Sequence, residues 1–583
     1  MYLDNHLQIL GWCAKLVNHQ VKVNLRQWDN TMDSLALFRL ARLLPFLLLL
    51  HSGVTNARTD VQVSDLSPPI GQTDFPVSCS AEIRDRSERA VMMLHHMMYA
   101  QAEKEFRSIA ATEPDCAMAH WGIAMTLFHP LWPGEPTEAE LQQGSQAIEK
   151  AKSLQPPTDR EQAYIAAAES YYSDWRNKSH PERIASWKTA QNTVYQNYRE
   201  DTDAAAFYAL ALLATAPKED KSYTHQKEAG AILETLYSRE PEHPGVVHYL
   251  IHAYDNPELA ARALEAARAY DKIAPDVPHA LHMPTHIFTR LGIWTDSIDW
   301  NTRSASAALK YPANGAISHH YLHALDYLIY AYLQGAEDIK AKAVLDQMNE
   351  KDNYQKTFVT GYALAALPAR YTLERKQWGD AAGLEVPARD SFPWEDFPEV
   401  EAIIYYAKGL GAARSGDTAG AQEALTALDA IHANLVKAGQ QYWSVIVDAQ
   451  RKAVAAWLDF SEDRKDSAVQ LMEEAARLEE SVDKNPVTPG SVLPARELLG
   501  EMLLQSGNPE KAIKAFETSL ETAPNRFNSL YGAGLAAERK GDRESAKSYY
   551  DSLVQISARA DGDRPELAHA HRFLTTGIKH HEK

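Results

Sequence analysis

Nine of the chain's 23 histidines fall between residues 243 and 323, and HALHMPTH at 279–286 carries three of them in eight residues. Two imidazoles four residues apart share one side of a helical turn. They can chelate one cation, and a neighbouring helix can add further nitrogens at about 2.0–2.1 Å. His248 with His252 and His282 with His286 are such pairs, and His320 with His323 is a pair three apart. This spacing points to a metal set of His248, His252, His282, His286, His320 and His323. Asp255 is a further ligand, or a partner that fixes an imidazole tautomer. Imidazole sets suit several transition metals, and the sequence does not distinguish Zn, Cu or Fe. An ion with an open position would activate water, which leaves an enzymatic role open, with Tyr249 and Arg290 as spare polar groups. The competing reading is inherited packing: duplication copies residues, so a histidine column also arises when each imidazole simply bonds a neighbouring carboxylate or carbonyl. That reading leaves a polar groove for a peptide or small molecule.

These side chains need helices at a fixed repeat to bring them together. Pro241 and Pro275 are 34 apart, as are Pro244 and Pro278, which sets a register independent of any histidine. Counting from the third residue past the first proline of each repeat, His248 and His282 take position 5. His252, His286 and His320 take position 9, and Asp255, Thr289 and His323 take position 12. Positions 5, 9 and 12 share a helix face, so three adjacent helices should direct them into one concave groove. Pro284 predicts a kink near His282, because it removes a hydrogen bond and presses on the carbonyl four residues earlier. A helix restarting there would swing His279 and His282 out of line; a continuous one would free the Ala280 carbonyl.

The same period runs through the C-terminal part. LLGEMLLQSGNPEKAIKAFETSLETAP places Gly500, Gly507, Ala512, Phe516 and Pro524 at the spacings of a tetratricopeptide repeat. Gly534, Gly541, Ala546 and Tyr550 repeat them 34 residues on, and Gly409, Gly416 and Ala421 repeat the glycine and alanine spacing. Alanine-rich helical segments with short turns fill nearly everything from 85 to 560. The fold class is therefore all-α, an α-solenoid of tetratricopeptide-like hairpins, with a bend expected near residue 395 at SFPWEDFPEV. The expected organisation is an N-terminal superhelix with the His-rich groove at 83–340, helical hairpins at 341–490, C-terminal repeats at 491–560 and a polar tail at 561–583.

The first 57 residues read differently. From Met32, arginines at 39 and 42, the apolar LLPFLLLL and small residues at 53–57 follow secretory-signal order, with 1–31 as an upstream extension and 58–82 as a linker. The apolar run is too short to span a membrane. Export places the protein in the periplasm or outside the cell, with no membrane attachment after cleavage. Of the three cysteines, Cys79 and Cys116 would remain there as a disulfide candidate. A net charge of −19 without a dense basic block argues against nucleic acid. Neither a haem-attachment motif nor a glycine-rich nucleotide loop occurs. His95, His96, His120 and His129 near the first hairpins are weaker candidates.

The segments CAMAHWGIAMTLFHPLW, HPGVVHYLIHAYDNPELAARAL, APDVPHALHMPTHIFTRLGIW and LHALDYLIYAYLQ resemble those of a broad group of bacterial tetratricopeptide-repeat proteins. The resemblance covers about residues 75–340, with HYLIH and HMPTHIF its specific elements. It implies a helical-repeat fold, a secretory leader followed by a cysteine near Cys79, and a shared site including His248, His252, His282, His286 and His323. It implies no reaction. His319 and His320 stand side by side, which leaves open which one faces inward.

Overall fold

The computed structural model describes residues 68–132, 134–387 and 391–576. The leader and extension expected over 1–57 lie outside the described residues. Helices follow one another from Ala81–His95 to Pro565–Thr576. Among the described residues the only extended pairings are two isolated bridges, Ala313–Ala316 and Ile317–Tyr354. Consecutive helices pack on each other along the chain, which makes the protein an all-α solenoid. No described helix is long and apolar enough to cross a membrane.

The spacing of small and aromatic residues is the packing itself. A Cβ on Gly500 would lie 2.8 Å from the Phe516 ring, and one on Gly534 would lie 2.6 Å from the Tyr550 ring. Those distances are below van der Waals contact, so each hairpin closes only with glycine there. Gly541 ends the Phe527–Lys540 helix at φ 83°, the left-handed conformation that a helix C-terminus adopts most cheaply with glycine.

Three segments between or beyond the repeats are also built in. Within the expected linker, Ile70, Phe75 and Val77 are buried, and the Ser78 N–H and hydroxyl donate to the Glu161 carboxylate at 2.7 and 2.5 Å. Cys79 and Cys116 are joined with Cα atoms 5.2 Å apart, pinning that segment to the start of the Ala117–Met125 helix. The interruption near 395 is a short 3-10 turn, Trp394–Asp396, with Phe392 and Trp394 buried. In the expected tail, the Pro565–Thr576 helix follows Arg564, which donates to both Asp338 carboxylate oxygens at 2.7 Å.

A buried ionic node ties the histidine-bearing helices to the C-terminal repeats. The fully buried Arg526 guanidinium donates to Glu497 at 2.9 and 3.0 Å, to Glu374 at 2.8 Å and to the Tyr330 hydroxyl at 2.9 Å. Removing one member of such a node strands the others as uncompensated buried charges. Arg526→Met should therefore cost about 3–5 kcal/mol, read as a lower denaturant midpoint. Adding Glu374→Met and Glu497→Met should recover much of that loss, because the stranded carboxylates are then gone.

Candidate functional site

Three helices carry the histidines: Pro244–Tyr254, the pair Pro278–His282 and Pro284–Arg290, and His319–Gln334. Their starts set the true register. The first two begin 34 residues apart, but the third begins 41 residues after the second, because residues 309–318 form an irregular connection. Asn314 (φ 50°) and Gly315 (φ 83°) turn the chain there. The constant 34-residue register is therefore corrected at the third helix. His323, not His320, falls in line with His248 and His282, and Tyr327 takes the place of His252 and His286.

The expected break at Pro284 is partial. Met283 keeps helical dihedrals (φ −52°, ψ −42°), so the two short helices run on and their histidines stay in line. The rings of His282 and His286 are 4.9 Å apart, and those of His279 and His282 are 6.0 Å apart.

His282, His286 and His323 form one triad, their ligand atoms within 4.8 Å of one another. His282 donates its Nδ1–H to Asn301 Oδ1 at 2.8 Å. The Asn301 amide is oriented by its Nδ2, which donates to the Ser297 carbonyl at 2.9 Å. His286 donates its Nδ1–H to Asp255 Oδ2 at 2.8 Å. Both imidazoles therefore present bare Nε2 lone pairs, and these face each other at 3.1 Å. Two acceptors at that distance repel unless a cation or a proton lies between them. The proton is unfavourable: burial, and then the neighbouring His286, hold His282 well below the usual imidazole range.

A second triad, His248, His252 and His279, adjoins the first. His248 donates its Nδ1–H to the His95 carbonyl at 2.6 Å, and its Nε2 has no hydrogen-bond partner. The Nε2 of His252 and both ring nitrogens of His279 are likewise unpartnered. The contrast with a third buried group is informative. His95 donates to Asp203 at 2.7 Å and accepts from the Tyr249 hydroxyl at 3.0 Å; His243 donates to Asp203 and accepts the Val246 N–H, both at 3.3 Å. That group is satisfied internally and is structural. His96 is satisfied too, accepting from the Tyr270 hydroxyl and donating to the Ile70 carbonyl, each at 2.9 Å.

His320 belongs to neither triad. Its ring lies 5.0 Å from His279 and its Nδ1 is unpartnered, while His319 packs on Trp132 at 4.8 Å. Asp255 holds an imidazole in its tautomer, the second of its two expected roles. Burial favours its protonation, but Lys484 and Arg290 outweigh it and keep the carboxyl well below its usual range. Lys484 Nζ donates to Asp255 Oδ2 at 2.6 Å, and Arg290 donates to Oδ1 at 2.9 Å.

The histidines expected to line a concave groove gather around a small chamber. The space between the triads is a cavity of about 10 Å³, walled by Leu131, Trp132 and Met97 and roofed by Pro486 and Val487. Residues 483–491 form that roof. Asp483 accepts from Arg290 at 3.0 Å, and the Thr488 carbonyl accepts from the Tyr327 hydroxyl at 2.8 Å. Beyond the roof opens a cleft of about 400 Å³, walled by Tyr330, Tyr362, Tyr406, Tyr442 and Trp443, where burial pushes Glu479 up to about 7. The helical spacing selects none of His279, Asn301, Tyr327 and Lys484. Asn301 sits on the second helix of its hairpin, and Lys484 lies 161 residues beyond His323, so no local periodicity marks either.

Burial holds His248, His252, His279, His282, His320 and His323 well below their ordinary range, with the neighbouring imidazoles adding to it. The unfolded chain then binds protons first as pH falls. Stability is fully present above about pH 6.5 and is lost below it, by roughly 1.4 kcal/mol per pH unit for each such histidine. Melting temperature measured from pH 7.5 to 5 should fall steeply, with the onset near 6.5.

Residues 493–526 match the family model of the tetratricopeptide repeat. A search of the curated proteins finds no match. Similar solved structures include the yeast Tom70, at 11% identity over 85% of this chain and 95% of that one, with TM-score 0.33. The human IFIT1 dimer with PPP-AAAA is 11% identical over 76% and 91%, with TM-score 0.36. Cut9 with Hcn1 from the APC/C is 14% identical over 86% and 97%, with TM-score 0.27. Residues 493–526 are thus a tetratricopeptide repeat within an all-α helical solenoid.

Proposed function

We propose that this chain is an exported helical-repeat scaffold that holds a transition-metal ion in its interior through His282, His286 and His323. The observation that carries this reading is the pair of bare Nε2 atoms 3.1 Å apart, with both Nδ1 positions committed to Asn301 and Asp255. An imidazole whose second nitrogen donates to a carboxylate or amide oxygen is the usual metal-binding arrangement, because the outer bond fixes the tautomer and raises ligand basicity. Export is supported by the leader-like order of residues 32–57 and by the Cys79–Cys116 bond, since disulfides persist in oxidising compartments. The reading is tested by elemental analysis of protein purified without added metal, and by melting before and after chelation. Metal at one or more equivalents, with a lower melting temperature after chelation, supports it. Metal-free protein that takes up neither Zn²⁺ nor Cu²⁺ removes it.

A second reading is a ligand-binding repeat module. The 400 Å³ cleft favours it, having the size and aromatic lining of a site for a small molecule or a short side-chain cluster of a peptide. Binding that is unchanged by chelation and weakened by Trp443→Ala would favour this reading over the first.

A further inference from the structure

Four histidines, two from each triad, line the small cavity, and the metal reading above uses only the first triad. His248, His252 and His279 make up the other. His248 and His279 are buried, at most 2% exposed, His252 is half-buried, and all three carry ring nitrogens with no hydrogen-bond partner. Leaving a buried polar atom unsatisfied is costly, and here one ring nitrogen from each of the three side chains lies within 4.8 Å of the others. Packing alone gives no reason to collect them. The internally bonded His95–Asp203–His243 group shows that this same interior satisfies histidines where they are structural.

The two triads are also adjacent. His252 and His286 have ring centroids 5.8 Å apart, and His279 and His323 have theirs 6.3 Å apart. The cavity of about 10 Å³ is lined by His252 and His279 from one triad and by His286 and His323 from the other. That volume accommodates about one water-sized ligand. Neither triad contains a carboxylate, so two cations there would sit among neutral imidazoles. A small anion in the shared cavity would offset their charge, as would cations of low charge, and three imidazoles per ion suit copper in either common oxidation state.

We propose that His248, His252 and His279 form a second transition-metal site, and that the two triads together hold a dinuclear, all-imidazole copper centre bridged by one water-sized ligand. This rests on the metal reading of the first triad, and the experiment separates the two. The full chain is stripped with chelator and titrated with Cu²⁺, and bound copper is compared with the integrated electron paramagnetic resonance intensity. The expected result is two equivalents, with intensity well below that of two isolated ions because adjacent Cu²⁺ spins couple. His248→Gln with His279→Gln should bind one equivalent at full intensity. His282→Gln with His286→Gln should also bind one, now in the second triad. Far-UV circular dichroism and the melting curve of each variant identify any that fails to fold, and the wild-type stoichiometry and intensity decide the matter even then. One equivalent in wild type, or two at full uncoupled intensity, overturns the dinuclear centre while leaving the first site standing. No bound copper overturns the copper centre, and failure of the stripped chain to take up Zn²⁺ as well overturns the first site too.

Discussion

Replacing His282 and His286 together by alanine should abolish metal binding at the first triad, lowering its affinity by roughly four decades or more. Structural zinc in small proteins binds with about 10–16 kcal/mol spread over four ligands, so each ligand is worth about 3 kcal/mol and two are worth about 6. The loss should be larger than from changing Asp255 or Asn301, which only orient the imidazoles and whose removal costs about 10–100-fold. Competition against a chelator of known affinity measures both. The same double variant removes the lone-pair repulsion between the two Nε2 atoms. With no metal bound, it should therefore lose less stability than two buried truncations elsewhere in the core. An affinity unchanged within a factor of ten would place the ion elsewhere.

Asp255→Ala should be among the most damaging single changes in the chain, at about 3–5 kcal/mol. Its carboxylate accepts from Lys484 at 2.6 Å, His286 at 2.8 Å and Arg290 at 2.9 Å, so its loss leaves buried cations without their partner. Arg290 keeps Asp483, at 3.0 Å, but Lys484 has no comparable alternative. Burial has already brought that lysine down to about 8, so near neutral pH it would shed its proton readily once the carboxylate is gone. The damage should concentrate in residues 483–491, which Lys484 fastens over the chamber. Hydrogen exchange should accelerate there before it does in the flanking helices. Lys484→Met on the Asp255→Ala background should recover part of the stability without restoring the tautomer of His286. That separates the roof's anchoring from the metal's affinity. Uniform exchange across the chain would contradict this division.

The dependence of the site on Asp255, Asn301 and Lys484 bears on how the two halves of the solenoid cooperate. Arg526, Arg370 and Lys484 all bind across more than forty residues of sequence, and each ties a histidine-bearing helix or its neighbour to residues 484–526. The roof of the chamber is therefore held by the same long-range contacts that stabilise the array. A truncation after the third histidine helix would remove the roof formed by Pro486 and Val487.

The repeat architecture was legible in the amino-acid order because its causes are local. Glycine opposite an aromatic, as at Gly500 and Phe516, and glycine at a left-handed helix end, as at Gly541, act within one hairpin and leave a fixed spacing. The pairs His248/His252 and His282/His286 were legible for the same reason: four residues is one helical turn. The third helix was not, because the seven extra residues before His319 shift its face without changing its composition, which moved His323 into line and His320 out of it. His279 stayed in line because Met283 kept helical dihedrals despite Pro284, and that depends on the surrounding packing. That the histidines line a small roofed chamber was decided only by tertiary structure. The roof comes from residues 483–491, and no periodicity within a helix encodes what folds back over it from so far along the chain.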